Sequence, residues 1–204
     1  MLVTFLNISA MILSYLSGSV CSAVIVSKLC GLPDPCSAGS KNPGATNVLR
    51  LAGKKYAIIV LLADMMKGFI PVFLAKIANI EVEQTSLIGL AAIIGHMYPI
   101  FFKFKGGKGV ATTLGALIGM DYILAVAVIG TWLFVALLTR YSSLASLIAI
   151  ILTPVYSIYL LENSNAFFPL TAISIVVCYQ HRHNMIRLLN RTEPKVSFNK
   201  SKPT

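Results

Sequence analysis

Lys103-Phe104-Lys105-Gly106-Gly107-Lys108-Gly109-Val110-Ala111-Thr112-Thr113 sets three lysines and three glycines between two long apolar runs. Small residues let backbone N–H groups approach an anion closely, and the apolar run that follows offers a helix N-terminus with its partial positive charge. In a chain otherwise this apolar, the stretch reads as a phosphate cradle at a membrane surface, turning one membrane segment into the next.

The surrounding composition supports that setting. The 204 residues are 56% hydrophobic and 12% charged, with a mean hydropathy of +0.79, well past the balance of an ordinary soluble domain. The fold class expected is an all-α integral membrane protein. The first apolar run starts at Leu2 without a basic stretch before it and is about as long as a span, so it is expected to be a membrane segment rather than a cleaved signal peptide. A formal net charge of +10 could suggest nucleic acid. The basic residues, however, sit at the ends of apolar segments, with no soluble domain or aromatic-basic surface to present them, so no nucleic-acid partner is expected. Anionic lipid head groups or small phosphorylated substrates are the better partners. Cys21, Cys30, Cys36 and Cys178 show no C-x-x-C spacing and no nearby histidine pair, which argues for neither a metal site nor a disulfide framework.

Working outward, seven apolar segments are expected, at about 2–26, 56–78, 85–102, 109–119, 122–138, 144–161 and 167–179, followed by a basic tail over 180–204, all in a single membrane domain. Between the first two lies a glycine- and proline-rich segment that leads into a short helix near Ala45. Asp64 and Lys67 lie three apart on one helical face. The spacing suits an intrahelical ion pair, and the functional alternative is that Asp64 orients a site residue. Gly115 and Gly119 form a G-x-x-x-G face for close helix contact. The fourth segment is the shortest: about eleven helical residues cross only about 17 Å of a core roughly 30 Å thick.

Charge asymmetry orients the segments. With the N-terminus outside, the inner loops carry nearly all the lysines and arginines, from Lys28 through Lys202. The outer loops hold Glu81, Glu83, Asp121 and Glu162, with Lys76 nearby. That positive-inside pattern predicts an external N-terminus, a cytoplasmic C-terminus and an odd number of spans.

The topology puts residues 39–50, 104–113, 140–146 and 181–193 on one side, where donors can converge. Arg50 offers a planar fork for phosphate, Lys108 a flexible point charge, and Ser40, Thr46, Ser143 and Asn184 neutral donors. His181, Asn184 and Arg187 fall about one helical turn apart on one face. A P-loop is excluded because Lys108 is followed by Gly109 and residue 102 is phenylalanine. A serine-histidine triad lacks both G-x-S-x-G and a placed acidic partner.

Three motifs together resemble the bacterial acyl-phosphate:glycerol-3-phosphate acyltransferases of the PlsY type. Gly39-Ser40-Lys41-Asn42-Pro43-Gly44-Ala45-Thr46-Asn47-Val48-Leu49-Arg50 is similar to that family's G-S-G-N-x-G-A-T-N-x-x-R. Residues 95–112 are similar to its second motif, and Ser143 with His181 through Glu193 to its serine segment and H-x-x-N-I-x-R-L-x-x-G-x-E. The chain departs from the pattern at Lys41 and across Arg191-Thr192, where the family carries glycine, and at Gln180, where a basic residue is common.

The resemblance implies a polytopic enzyme of the bacterial inner membrane, its active site facing the cytoplasm. It would move a fatty acyl group from acyl phosphate to the 1-hydroxyl of glycerol 3-phosphate, giving lysophosphatidic acid and phosphate without a cofactor. By motif position, Arg50, Lys108, His181 and Asn184 would hold the glycerol phosphate. Ser40, Asn42, Thr46 and Asn47 would serve the acyl-phosphate head or the oxyanion, and Ser143 either phosphate. His96 is a candidate general base, with a structural hydrogen-bonding role as its alternative; acyl phosphate could also take the hydroxyl proton itself. The alternative class is an organic-phosphate transporter or channel, because intramembrane polar residues and broken helices also mark translocation sites.

Overall fold

The first apolar run does not form one helix. In the computed structural model, which describes residues 2–161 and 164–196, it divides into α1 (Leu2–Gly18) and α2 (Ser22–Leu29). Gly18, the last residue of α1, packs closely on a neighbouring helix: a Cβ there would lie 2.1 Å from the Ala92 carbonyl oxygen. The unwound stretch leaves the Val20 carbonyl without a helical partner, and Lys67 Nζ donates to it at 2.8 Å. A break at membrane depth is tolerated when protein groups replace the lost hydrogen bonds in this way.

The remaining elements are α3 (Ala45–Ala52), α4 (Lys54–Ile77), α5 (Val82–Met97), α6 (Val110–Met120), α7 (Tyr122–Thr139), α8 (Ser142–Leu160), α9 (Phe167–Gln180) and α10 (Arg182–Leu189), with short 3-10 turns at Ile100–Phe102 and Ser164–Ala166. All regular structure among the described residues is helical, as the composition implied. Five segments are long and apolar enough to cross a membrane: Phe5–Leu29, Lys54–Ile77, Val82–Phe102, Tyr122–Thr139 and Ser142–Leu160. Val110–Met120 and Phe167–Gln180 are shorter apolar helices. The helical part of the third segment stops at Met97 rather than running to 102, because Pro99 disfavours helical geometry at the residue before it. Glu162 and Lys202 of the charge balance, and the tail beyond 196, lie outside the described residues.

The packing is organised by α6. It lies against α4 so closely that a Cβ on Gly115 would fall 1.9 Å from the Met65 carbonyl oxygen, and one on Gly119 2.8 Å from that of Phe69. The G-x-x-x-G face is therefore the α4–α6 contact. The last turn of α6 is closed by Lys76, whose Nζ donates to the Met120 carbonyl at 2.8 Å. Asp121 then starts α7 by accepting from the Leu124 N–H at 2.8 Å. The core draws one fully buried residue after another from successive helices: Val72, Ile93, Leu117, Leu124, Ile150 and Leu170. Helix α7 also packs on α6, and α8 on both α7 and α9. Short α6 thus sits between longer α4 and α7, and the space it leaves unfilled becomes a cavity.

Candidate active site

That cavity has a volume of ≈ 730 Å³ and is lined by residues from all four segments named above. Ser40, Asn42, Thr46, Asn47, Arg50, His96, Lys108, Ser143, His181 and Asn184 all lie on its wall. Lys103 and Lys105 are exposed and lie off this lining, so Lys108 is the lysine of the cluster that reaches the cavity. Away from the polar end, Leu61 and Met65 on α4 face Ile129, Trp132 and Leu133 on α7 across Leu114 of α6. Leu61 and Leu133 are exposed at the bundle surface, so the apolar arm opens sideways. Trp132 is fixed in this wall by its Nε1–H donating to Ser146 Oγ at 3.0 Å.

Two helix N-termini end at the polar part. Helix α6 begins after Gly109, whose φ of 82° lies in the left-handed region, and α3 begins after Gly44. The first N–H groups of each helix lack intrahelical partners and carry the positive end of the dipole, a natural anion site.

The turn before α6 is built around His96. Its carbonyl accepts the Gly107 N–H at 3.1 Å. A Cβ on Gly106 would lie 2.0 Å from that carbonyl oxygen, and one on Gly107 2.2 Å from His96 Nε2. The glycines are thus needed for close approach to a histidine as well as to a ligand. The Nε2 side of the ring packs against Gly107, and Nδ1 faces Asp64 Oδ1 at 3.7 Å, outside hydrogen-bond range. Asp64 in turn pairs with Lys67 at 2.8 Å, the ion pair expected from their spacing.

The turn before α3 is held by Asn47. Its Oδ1 accepts the Ser40 N–H at 2.9 Å, and its Nδ2 donates to the Pro35 and Ala38 carbonyls at 3.0 and 3.1 Å. This side chain is buried and bonded to the backbone of the loop, and it also lies on the cavity lining. A Cβ on Gly39, which has a φ of 63°, would collide with Asn47 Oδ1 at 2.3 Å. Ser40, Thr46 and Arg50 are left exposed on the cavity rim.

The two departures from glycine fall where the backbone wants glycine. Lys41 has φ 57° and Arg191 has φ 58°, left-handed values that cost an ordinary residue about 1–2 kcal/mol.

Opposite these turns, one carboxylate organises the tail. Glu193 accepts from Ser143 Oγ at 2.6 Å, Asn184 Nδ2 at 2.7 Å and Arg187 Nε at 2.7 Å. Burial alone would push this carboxyl up, but the three donors and the Arg187 charge hold it below its ordinary value. The Asn184 side-chain oxygen, freed by this arrangement, accepts from Lys108 Nζ. Burial, reinforced by Arg187 and Arg50 and opposed by Glu193, brings the Lys108 ammonium down to about 8. Burial, with Lys108 nearby, lowers His181 to about 4, so its ring is neutral at pH 7. His181 Nδ1 lies 2.8 Å from the Val177 carbonyl. A carbonyl only accepts, so the proton is on Nδ1 and Nε2 is left as an acceptor.

Arg187, on the helical face shared with His181 and Asn184, and Glu193, which was given no role from the sequence, also line the cavity. The signal was present: Glu193 is the one acidic residue in the basic stretch 180–204.

Residues 8–191 match the model of the family described as glycerol-3-phosphate acyltransferase. A glycerol-3-phosphate acyltransferase of Legionella pneumophila (strain Corby) is 53% identical over 196 residues, covering 96% of this chain and 71% of the relative. The chain belongs to the glycerol-3-phosphate acyltransferase family. A second member, from Vibrio cholerae serotype O1 (strain ATCC 39541 / Classical Ogawa 395 / O395), is 48% identical over 201 residues and covers 98% of this chain and 96% of its own. Among solved structures, PlsY, an integral membrane glycerol 3-phosphate acyltransferase in its glycerol 3-phosphate form, superimposes with a TM-score of 0.89 at 38% identity, covering 94% of this chain and 96% of that one. The lysophosphatidic acid form of PlsY superimposes with a TM-score of 0.86 at 37% identity, covering 94% of this chain and 95% of that one. The three stretches whose motifs resemble that family all contribute to the lining of the cavity.

Proposed function

We propose that this acyltransferase moves a fatty acyl group from acyl phosphate to the 1-hydroxyl of glycerol 3-phosphate, releasing lysophosphatidic acid and inorganic phosphate. The observation that carries this reading is the pairing, in one cavity, of two helix N-termini with an apolar arm that opens sideways. Two phosphates and one acyl chain are what the two substrates bring. The glycerol 3-phosphate and lysophosphatidic acid forms of PlsY support the same assignment.

Arg50, Lys108, His181 and Asn184 hold the glycerol phosphate. Ser40, Asn42, Thr46 and the N-terminus of α3 hold the acyl-phosphate head and the oxyanion, and Ser143 serves either phosphate. Asn47 acts one step back, by shaping the loop that carries Ser40. Acyl phosphate is a mixed anhydride and needs no covalent enzyme intermediate. The hydroxyl oxygen attacks the carbonyl carbon, the carbon–oxygen bond to phosphate breaks, and the leaving phosphate takes the electron pair and the hydroxyl proton. The protein's contribution is to hold the hydroxyl against the carbonyl and to stabilise the developing charge. His181 Nε2 can accept the hydroxyl hydrogen bond and so aim the oxygen. His96 packs against the Gly106-Gly107 turn and faces Asp64, so we assign it to shaping that turn rather than to proton transfer.

The positive-inside pattern supports seven crossings, with α6 and α9 as the short ones, the N-terminus outside and the site facing the cytoplasm of the bacterial inner membrane. Purified protein in detergent, given palmitoyl phosphate and glycerol 3-phosphate, should release phosphate and form lysophosphatidic acid only when both are present. Phosphate release that is independent of glycerol 3-phosphate, or none at all, would refute the reading.

A further inference from the structure

Asp64 and Lys67 place two charges in the middle of α4 with side chains only 2% and 6% exposed. A buried ion pair is a poor way to add stability, since well-packed apolar residues of similar volume generally do as well or better. Charges at membrane depth therefore call for a use beyond packing. Lys67 is fixed by two partners, Asp64 Oδ1 and the Val20 carbonyl, each at 2.8 Å. The same buried Oδ1 of Asp64, a residue that lines the cavity, faces His96 Nδ1 at 3.7 Å. His96 Nδ1 has no hydrogen-bond partner of its own. A movement of about 0.5 Å would bring the pair within hydrogen-bond range. The far side of the same ring meets Gly107, and the His96 carbonyl holds the Gly107 N–H at 3.1 Å. The next residue is Lys108.

We propose that Asp64 is a positioning residue for the acyl transfer: braced by Lys67, it sets the His96 ring, and the ring sets the Gly106-Gly107 turn that presents Lys108 to the glycerol phosphate. This rests on the functional reading above. It assigns the intramembrane ion pair to the affinity for one substrate rather than to the bundle as a whole. Asp64 touches no reacting atom, and its effect travels through His96. The carboxylate favours the His96 tautomer with its proton on Nδ1, which keeps the unprotonated Nε2 against the glycine backbone.

The test compares Asp64→Asn, the charge-neutral Asp64→Asn/Lys67→Met pair and His96→Ala with the unmodified enzyme, measuring kcat, both KM values and the thermal unfolding midpoint. Asp64→Asn should raise KM for glycerol 3-phosphate roughly 10- to 100-fold, as expected for a displaced binding group. The KM for palmitoyl phosphate should stay within about twofold, because the α3 wall is untouched. The double variant should recover the unfolding midpoint lost in Asp64→Asn and keep the KM defect. Recovery of both would mean the pair only packs the bundle, and would overturn the proposal. If the double variant does not fold, His96→Ala decides. It should show the same selective KM rise, and an unchanged KM for glycerol 3-phosphate overturns the proposal equally. An unmodified enzyme without acyl transfer would count against the functional reading instead. The comparison then passes to calorimetric binding of glycerol 3-phosphate, where equal affinity across the variants refutes the positioning role.

Discussion

Raising the pH should switch off glycerol 3-phosphate capture through one group, Lys108. Its ammonium is pulled from 10.5 to about 8, first by burial and then by Arg187 and Arg50, against the opposing pull of Glu193. The sign follows from the role: the protonated form binds phosphate, so activity is present below this value and lost above it. At pH 7 about nine-tenths of the free enzyme carries the charge, at pH 9 about one-tenth, and kcat/KM should fall about tenfold per further unit. The acidic side is set by the substrate, whose second phosphate ionisation lies near pH 6. Bound phosphate stabilises the ammonium, so the alkaline limb of kcat should lie above that of kcat/KM. The assay is initial-rate phosphate release from pH 5.5 to 10, with spontaneous acyl phosphate hydrolysis subtracted. Lys108→Arg removes titration from the range because a guanidinium stays charged, so whatever activity it retains should show no alkaline limb. A flat wild-type profile to pH 10, or the same limb in Lys108→Arg, would refute the assignment.

Other perturbations test the scaffold. Gly115→Ala puts a methyl 1.9 Å from the Met65 carbonyl oxygen, so α4 and α6 must part; a loss of about 1–3 kcal/mol or more is expected, and an unchanged unfolding midpoint would contradict the close crossing. Lys41→Gly should stabilise the protein, because it relieves a φ of 57°; the net gain is roughly 0.5–1 kcal/mol after the added freedom of the unfolded chain, and a lower midpoint would count against left-handed strain. Asn47→Ala strips partners from the Ser40 N–H and from the Pro35 and Ala38 carbonyls. It should cost roughly 1–3 kcal/mol and raise KM for acyl phosphate more than for glycerol 3-phosphate; equal KM values would place Asn47 outside the acyl-phosphate wall.

Much of the bundle was legible because membrane helices are written in long apolar runs whose ends carry charges and turn residues. The segments at 56–78, 122–138 and 167–179 match α4, α7 and α9 to within a residue or two. The run at 2–26 corresponds to the candidate span Phe5–Leu29, built from two helices instead of one. Hydropathy does not announce that break, whose freed Val20 carbonyl is satisfied by Lys67 from another helix. Of the site residues, those named for their donors do meet in one cavity. Asn47 and His96 were the right residues for other reasons, because sequence gives a side chain's chemistry and not the atoms it has already engaged.

The glycine-rich stretch at 103–113 illustrates the division. By itself the sequence determined an apolar helical bundle, a basic face and an anion-compatible turn, since hydrophobic period, charge bias and glycine content are local properties. Among the three lysines of this stretch, Lys108 stood out by its place in the resembling motif, but charge and glycine content alone say nothing of what it touches. Only the tertiary structure gave Lys108 its surroundings, because these depend on Asn184 from a segment 76 residues away and on a turn wrapped around His96. Likewise, Glu193 gains its meaning from Asn184 and Arg187 on one helical face and from Ser143, which no spacing rule brings to them. Burial sets the charge state of Lys108 and His181, and burial exists only once the helices have packed.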